Sequence, residues 1–146
     1  MKISLALLIL VIIISLTACK VEPESIVYGT DNCHVCKMTM MDKRFGAEIV
    51  TRKGKVYKFD DVNCMMQFLH SGEVVDRDIQ YKLVVDYSQP GKLIQAGEAF
   101  YIKSSELKSP MASQVAAFES NESHKEFKKQ LNGIYLTWGE LTTQFK

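Results

Sequence analysis

Residues 31–42, DNCHVCKMTMMD, hold two cysteines, a histidine and three methionines in twelve positions. Cys33 and Cys36, with two residues between them, bring their sulfurs together around one tight turn. In an extended segment Cys36, Met38 and Met40 project to one side and Met41 to the other. A second sulfur group, Cys64, Met65 and Met66, lies within VNCMMQF (62–68). Three chemistries suit such donors. A thioredoxin-type redox pair needs its CxxC at a helix N-terminus, which lowers the thiol pKa; here methionine-rich KMTMMD follows the second cysteine. A structural zinc site wants four Cys or His ligands, commonly as two close pairs. Cys33, Cys36, Cys64 and one of His34, His70 or His124 satisfy the count, but no second pair exists. Thiolate with thioether best suits Cu(I), a soft ion content with two or three sulfurs.

Each residue has an ordinary alternative. Met38 is favoured as a ligand and Met40 as packing, while Met41 and Met66 read as core filler. His34, between the cysteines, either joins the site or is a solvated turn residue. His70 and His124, at helix ends, show no partner. Cys64 and Met65 are either a packing pair on a helix face or further donors. Met111, in the polar loop SSELKSPMASQ, is by residue type more often a hydrophobic plug than a ligand.

The elements that must position these residues follow. Ala47–Thr51 and Val56–Phe59 are β-branched runs flanking Arg52–Lys55 with Gly54, a hairpin signal. Asp60 or Asp61 caps a helix, VNCMMQFLHSG, ending at Gly72. YKLVVDY (81–87) is a strand and SQPG (88–91) a turn. KLIQ (92–95) and EAFYIKS (98–104) read as a second strand pair. A helical region is expected from about Gln114, broken near 120–123 and stopping at Gly133. IYLTW (134–138) is a last strand, and Thr137 with Glu140 forms a candidate capping box. Strand, strand, helix, strand thus occurs twice, which predicts an α+β domain.

The ends and the composition set the setting. Lys2 followed by ISLALLILVIIISL (3–16) is a signal-peptide pattern, too short for a confident membrane span. LTAC (16–19) resembles a bacterial lipobox, implying cleavage after residue 18 and lipidation of Cys19. The expected organisation is a signal peptide (1–18), a lipidated cysteine and tether (19–30), and a domain (31–146) of two halves, about 31–90 and 91–146. The mature chain, extracytoplasmic and held to a bacterial membrane through Cys19, loses only Lys2 among its charged residues, leaving 17 basic against 17 acidic side chains. That neutrality offers no field for nucleic acid. Three remaining cysteines, an odd number, leave at least one thiol free, externally paired or metal-bound. No phosphate loop, nucleophile–base pair or carboxylate dyad is visible, so no enzymatic activity is expected.

Taken together, LTAC, CHVCKMTMMD, GKVYKFDDVNCMMQFL, AFYIKSSELKSPMAS and LTWGEL resemble the NosL family, accessory lipoproteins of nitrous oxide reductase assembly. The resemblance implies two ββαβ units in one compact domain and a Cu(I) chaperone outside the cytoplasm. Its copper recipient would be nitrous oxide reductase or another cuproprotein. It also implies a Cys-x-Met pair, matched by Cys36 and Met38, and a methionine after proline, matched by Met111; Cys33, beside them, reads as a supporting thiol. Two departures stand out: Ala112 replaces the glycine that commonly follows Pro-Met, and Cys64-Met65 lies outside the general pattern. The competing readings are an extracytoplasmic CxxC thiol-disulfide oxidoreductase and a zinc-binding structural module.

Overall fold

The structure, a computed structural model, describes residues 20–145; the apolar leader and Cys19 lie outside the described residues. Two antiparallel sheets are built to one plan. In the first, β1 (Ala47–Thr51) is flanked by β2 (Val56–Phe59) and β3 (Ile79–Val85), with β4 (Leu93–Gln95) added outside β3. In the second, β5 (Phe100–Lys103) is flanked by β6 (Val115–Phe118) and β7 (Ile134–Leu136). Helix α1 (Val62–Ser71) joins β2 to β3, and α2 (Asn121–Leu131) joins β6 to β7. Each unit is therefore ββαβ with its first strand in the middle, the α+β architecture expected from the doubled rhythm. Helix α3 (Trp138–Gln144) closes the chain.

The first hairpin and its helix form where the local signals place them. All of β1 is buried, because β2 and β3 cover both its edges and α1 packs on one face. Asp61, in extended conformation, caps α1 by accepting the Asn63 N–H, and Gly72 ends it at φ 72°, a backbone that favours glycine. Val62, Cys64, Met65, Met66 and Phe68 form the buried side of α1. The expected capping box at Thr137 and Glu140 opens α3.

The second half differs from expectation in two places. Leu93–Gln95 pairs with β3, as Ile94 opposite Val84, and so extends the first sheet rather than pairing with Phe100–Lys103. The partner of β5 is Val115–Phe118, where a helix had been expected from Gln114. Alanines at 116 and 117 suggest helix by propensity, but both are buried, Ala117 in the main core cluster and Ala116 in a second one with Phe118, and β5 supplies the pairing that overrides propensity. Helix α2 starts after Ser120, whose side chain accepts the Ser123 N–H. The polar loop 104–114 is thus a hairpin loop, held at its base by the Ser104 hydroxyl donating to the Leu131 carbonyl.

The segment read as a spacer also packs. Ile26 is buried with Met40 and Val85. The Tyr28 hydroxyl donates to the Phe45 carbonyl at 2.6 Å, and the Glu24 N–H donates to Glu48 at 3.0 Å. A side chain at Gly46 would stand 2.9 Å from the Tyr28 hydroxyl, so this approach requires glycine. One main cluster carries both sheets, joining Ile49, Phe59, Met65 and Phe68 with Tyr101, Val115 and Leu141.

Candidate metal centre

The sulfur-rich segment folds as a narrow knuckle. The Cys33 N–H donates to the Met38 carbonyl at 2.9 Å, and the Lys37 N–H returns to the Cys33 carbonyl at 3.0 Å. Closing so tight a turn puts Lys37 at φ 65°. The His34 N–H donates to the Lys58 carbonyl at 2.8 Å, so the knuckle lies along β2, the free edge of the first sheet. Lys58 secures it with its ammonium on Asp31, 2.8 Å away. Docked there, Cys33 and Cys36 sit beside the end of β2 and the first turn of α1.

Four donors converge at that corner. Single ligand atoms of Cys33, Cys36, Asp60 and Cys64 all lie within 4.8 Å of one another. The Cys36 thiol donates to Asp60 Oδ2 at 3.5 Å, and all three cysteines are free thiols. Cys33 and Cys64 are fully buried, Asp60 is 4% exposed, and Cys36 is half-buried at the rim. Three of the four donors are therefore buried, and only Cys36 reaches the surface.

Burial and mutual contact set the proton inventory. The Cys33 thiol is drawn well below the usual thiol range, first by a hydrogen bond from Cys64 and then, against burial, by backbone N–H groups of Asp60, Cys36 and Val35. Cys64 is pushed up by that same bond to Cys33 and by burial. Cys36 is also raised, chiefly by burial. Asp60 is pushed up to about 6 by burial and by the neighbouring Cys33 charge. One thiolate therefore forms readily at neutral pH while the other sulfurs keep protons that a metal must displace.

The remaining candidates fall around this core. Met38, next to the knuckle, is 56% exposed. Met111 is half-buried and packs against the same cluster as Cys36. Its position is fixed by α1: its N–H donates to Asp61 Oδ2 at 2.9 Å, and Asn63 Nδ2 donates to its carbonyl at 3.1 Å. Ala112 beside it adopts φ 55°, so the loop keeps the left-handed backbone that glycine would favour. Met65 and Met66 are fully buried in the core, as is Met40 in a smaller cluster. Met41, expected as filler, is 70% exposed, because its neighbour Met40 takes the inward position.

His34 is not among the converging donors. Its Nε2 lies 3.2 Å from Glu73, and its ring meets those of Tyr57 and Phe68 edge-on at 4.8 and 5.3 Å. His124 is buried against the Tyr101 carbonyl in the second half. Asp60 is the donor that sequence reasoning missed. The available signal was the doubled aspartate: a helix needs one cap, and Asp61 takes that role, leaving Asp60 for the sulfurs.

Among curated proteins none matches this chain. Among solved structures it is similar to the crystal structure of the copper chaperone NosL from Shewanella denitrificans. The TM-score is 0.68 at 23% identity, covering 83% of this chain and 96% of that one, a likeness of fold. The family model described as NosL matches residues 26–145, which includes the knuckle, the Asp60–Cys64 corner and the Met111 loop, and the chain therefore belongs to the NosL family.

Proposed function

We propose that this protein is a copper chaperone that carries Cu(I) as cargo rather than transforming a substrate. The observation that carries the reading is the convergence of three thiols, two buried and the third, Cys36, at the rim. Soft, polarizable donors in a largely dry pocket select a soft monovalent ion, and two or three sulfurs suffice to hold it. On this reading Cys36 and Met38 are the principal ligands, Cys33 supports them, and Met111 adds a thioether from the second unit. Cys64 stands within reach as a further thiolate, whereas Met65 serves packing. The exposure of Met38 supports its role as the point where a recipient's ligands meet the ion. The chain would act outside the cytoplasm, held to the membrane by a lipid on Cys19, and supply copper for nitrous oxide reductase.

The decisive test is anaerobic titration of the reduced protein with Cu(I) against a competing Cu(I) chelator. Stoichiometric, tight binding is expected, abolished by Cys36→Ser and weakened by Met38→Ala or Met111→Ala. Failure to compete for Cu(I), or full affinity in Cys36→Ser, overturns the assignment. Cys19→Ala should move the protein from membrane to soluble fractions. A strain lacking the protein should yield copper-poor nitrous oxide reductase.

A further inference from the structure

The N-terminal segment crosses the first sheet in a defined direction. Tyr28 reaches the Phe45 carbonyl, Ile26 lies against Gly46 and Val85, and Glu24 meets Glu48. Read backwards from Tyr28, the segment therefore follows β1 from its start toward Thr51. Val21 is still half-buried on the domain. Lys20 comes within electrostatic reach of Tyr81, which stands opposite Val50. The described chain thus begins at the hairpin end of the sheet, one residue after Cys19. The sulfur corner is at the other end, just beyond Phe59, the partner of Ala47. The five residues of β1 put about 13 Å between these ends.

The hairpin end is basic in a chain whose mature charges balance, 17 against 17. Arg52, Lys53 and Lys55 surround Gly54 at the tip, and all are exposed. Gly54 at φ 81° satisfies the turn, so its geometry does not require the cations around it. The Arg52 N–H donates to the Asp78 carbonyl at 2.8 Å, and its Nε donates to the Arg77 carbonyl at 2.9 Å. These bonds set Arg77 beside the tip, together with Val75, an apolar side chain left 48% exposed. Among the described residues none of the four cations forms an ion pair. Of the carboxylates nearby, Glu22 is paired with Lys20, Glu73 with His34 and Asp76 with Lys82. Only Asp78 is left to oppose them.

We infer that the β1–β2 hairpin tip is a membrane-contact surface, with Arg52, Lys53, Lys55 and Arg77 resting on anionic phospholipid headgroups. The inference rests on the reading that Cys19 carries the lipid, which brings this end of the sheet to the bilayer. Phosphate oxygens are the acceptors that guanidinium and ammonium groups match. Each such cation near an anionic surface strengthens partition by about 5-fold, and Val75 adds an apolar contact between them. The lipid holds the domain to the bilayer without orienting it; the basic tip supplies the orientation. So held, the sulfur corner points away from the membrane, where a copper recipient can reach Cys36 and Met38.

The single tryptophan, Trp138, lines the cleft beside Arg52 and Arg77 and serves as a native reporter. The test is energy transfer from Trp138 to dansyl-labelled lipid. Protein isolated from membranes is returned to vesicles of phosphatidylcholine alone, or of phosphatidylcholine with phosphatidylglycerol. Transfer should rise when phosphatidylglycerol is present and fall back at about 1 M salt, where the screening length is about 3 Å. Lys53→Gln with Lys55→Gln should abolish the rise and leave transfer on phosphatidylcholine unchanged. In a second arm, the unlipidated Cys19→Ala chain is titrated with phosphatidylglycerol vesicles. There the two lysine substitutions together should weaken binding by about 25-fold, about 5-fold for each cation lost. Equal transfer on the two vesicle types, or a rise that survives both substitutions, overturns the proposal. The mass of the N-terminal peptide reports acylation separately. A peptide without acyl groups sinks the lipid reading, and the second arm then decides the basic tip by itself: no preference for phosphatidylglycerol overturns it.

Discussion

Asp61 ties the two units together at the sulfur corner through two hydrogen bonds to the Met111 loop, and its removal should be felt in both stability and metal binding. It is fully buried and accepts three backbone N–H groups: Asn63 at 3.0 Å, Met111 at 2.9 Å and Ser113 at 3.4 Å. Asp61→Ala removes the helix cap, worth about 1 kcal/mol. It also removes the bond to Met111, at about 1.5–3 kcal/mol for a charged acceptor. The longer bond to Ser113 adds less, about 0.5–1 kcal/mol, and its N–H is left buried without a partner. The sum is about 3–5 kcal/mol, a large part of the 5–15 kcal/mol typical of a domain. For a chain this long it should lower the midpoint of thermal unfolding by roughly 10–15 °C. Asp61→Asn keeps a good cap and one acceptor oxygen, so it should lose only about 1–2 kcal/mol. Urea unfolding of the reduced, metal-free protein measures both. In Cu(I) titrations, Asp61→Ala and Met111→Ala should be non-additive, because both release the same methionine. A loss below about 1 kcal/mol in Asp61→Ala, or fully additive effects on Cu(I) affinity, would refute the reasoning that this carboxylate positions the loop.

Three other outcomes follow from particular residues. Ala112 at φ 55° carries about 1–2 kcal/mol of left-handed strain, while glycine adds about 0.4–1 kcal/mol of unfolded-state entropy, so Ala112→Gly should raise the unfolding free energy measured in urea by about 0.5–1 kcal/mol. Gly133→Ala should destabilise by about 1–3 kcal/mol in the same assay, since its methyl would stand 2.3 Å from Ile102 Cγ2 and 2.9 Å from the Lys103 carbonyl. Glu48, fully buried with Oε2 unpartnered, is pushed from 4.5 up to about 7 by burial. Because the folded chain keeps that proton where the unfolded chain has lost it, Glu48 should make stability fall as pH rises from about 4.5 to 7, by at most about 3 kcal/mol. Glu48→Gln should flatten this decline in unfolding curves taken across that window.

Much of the fold was legible where the signal is local. The hairpin of β1 and β2, the aspartate cap and glycine stop of α1, and the Thr137–Glu140 box depend on residues within a few positions of one another, so pattern alone finds them. Val115–Phe118 was not legible, because its alanines carry little strand preference and its identity comes from β5 and from a parallel bridge between Ala117 and Asp86. Leu93–Gln95 failed for the same reason: a short apolar run names no partner, and the outer edge of β3 decided it. The packing of Ile26 and Tyr28 was hidden within a segment whose proline and charges suggested a spacer.

In the site the division is equally physical. Sequence by itself determined that Cys33 and Cys36 share one turn, that soft donors are concentrated there, and that a helix carrying Cys64 starts after paired aspartates. Only tertiary structure decided that Asp61 caps while Asp60 faces the sulfurs, that Cys64 joins Cys33 and Cys36, and that His34 turns instead to Glu73. It also decided where Met111 stands, through a hydrogen bond spanning 50 residues. Such contacts depend on strand register and on helix packing over the edge of a sheet. Those are properties of the whole chain's burial, and no short window of sequence contains them.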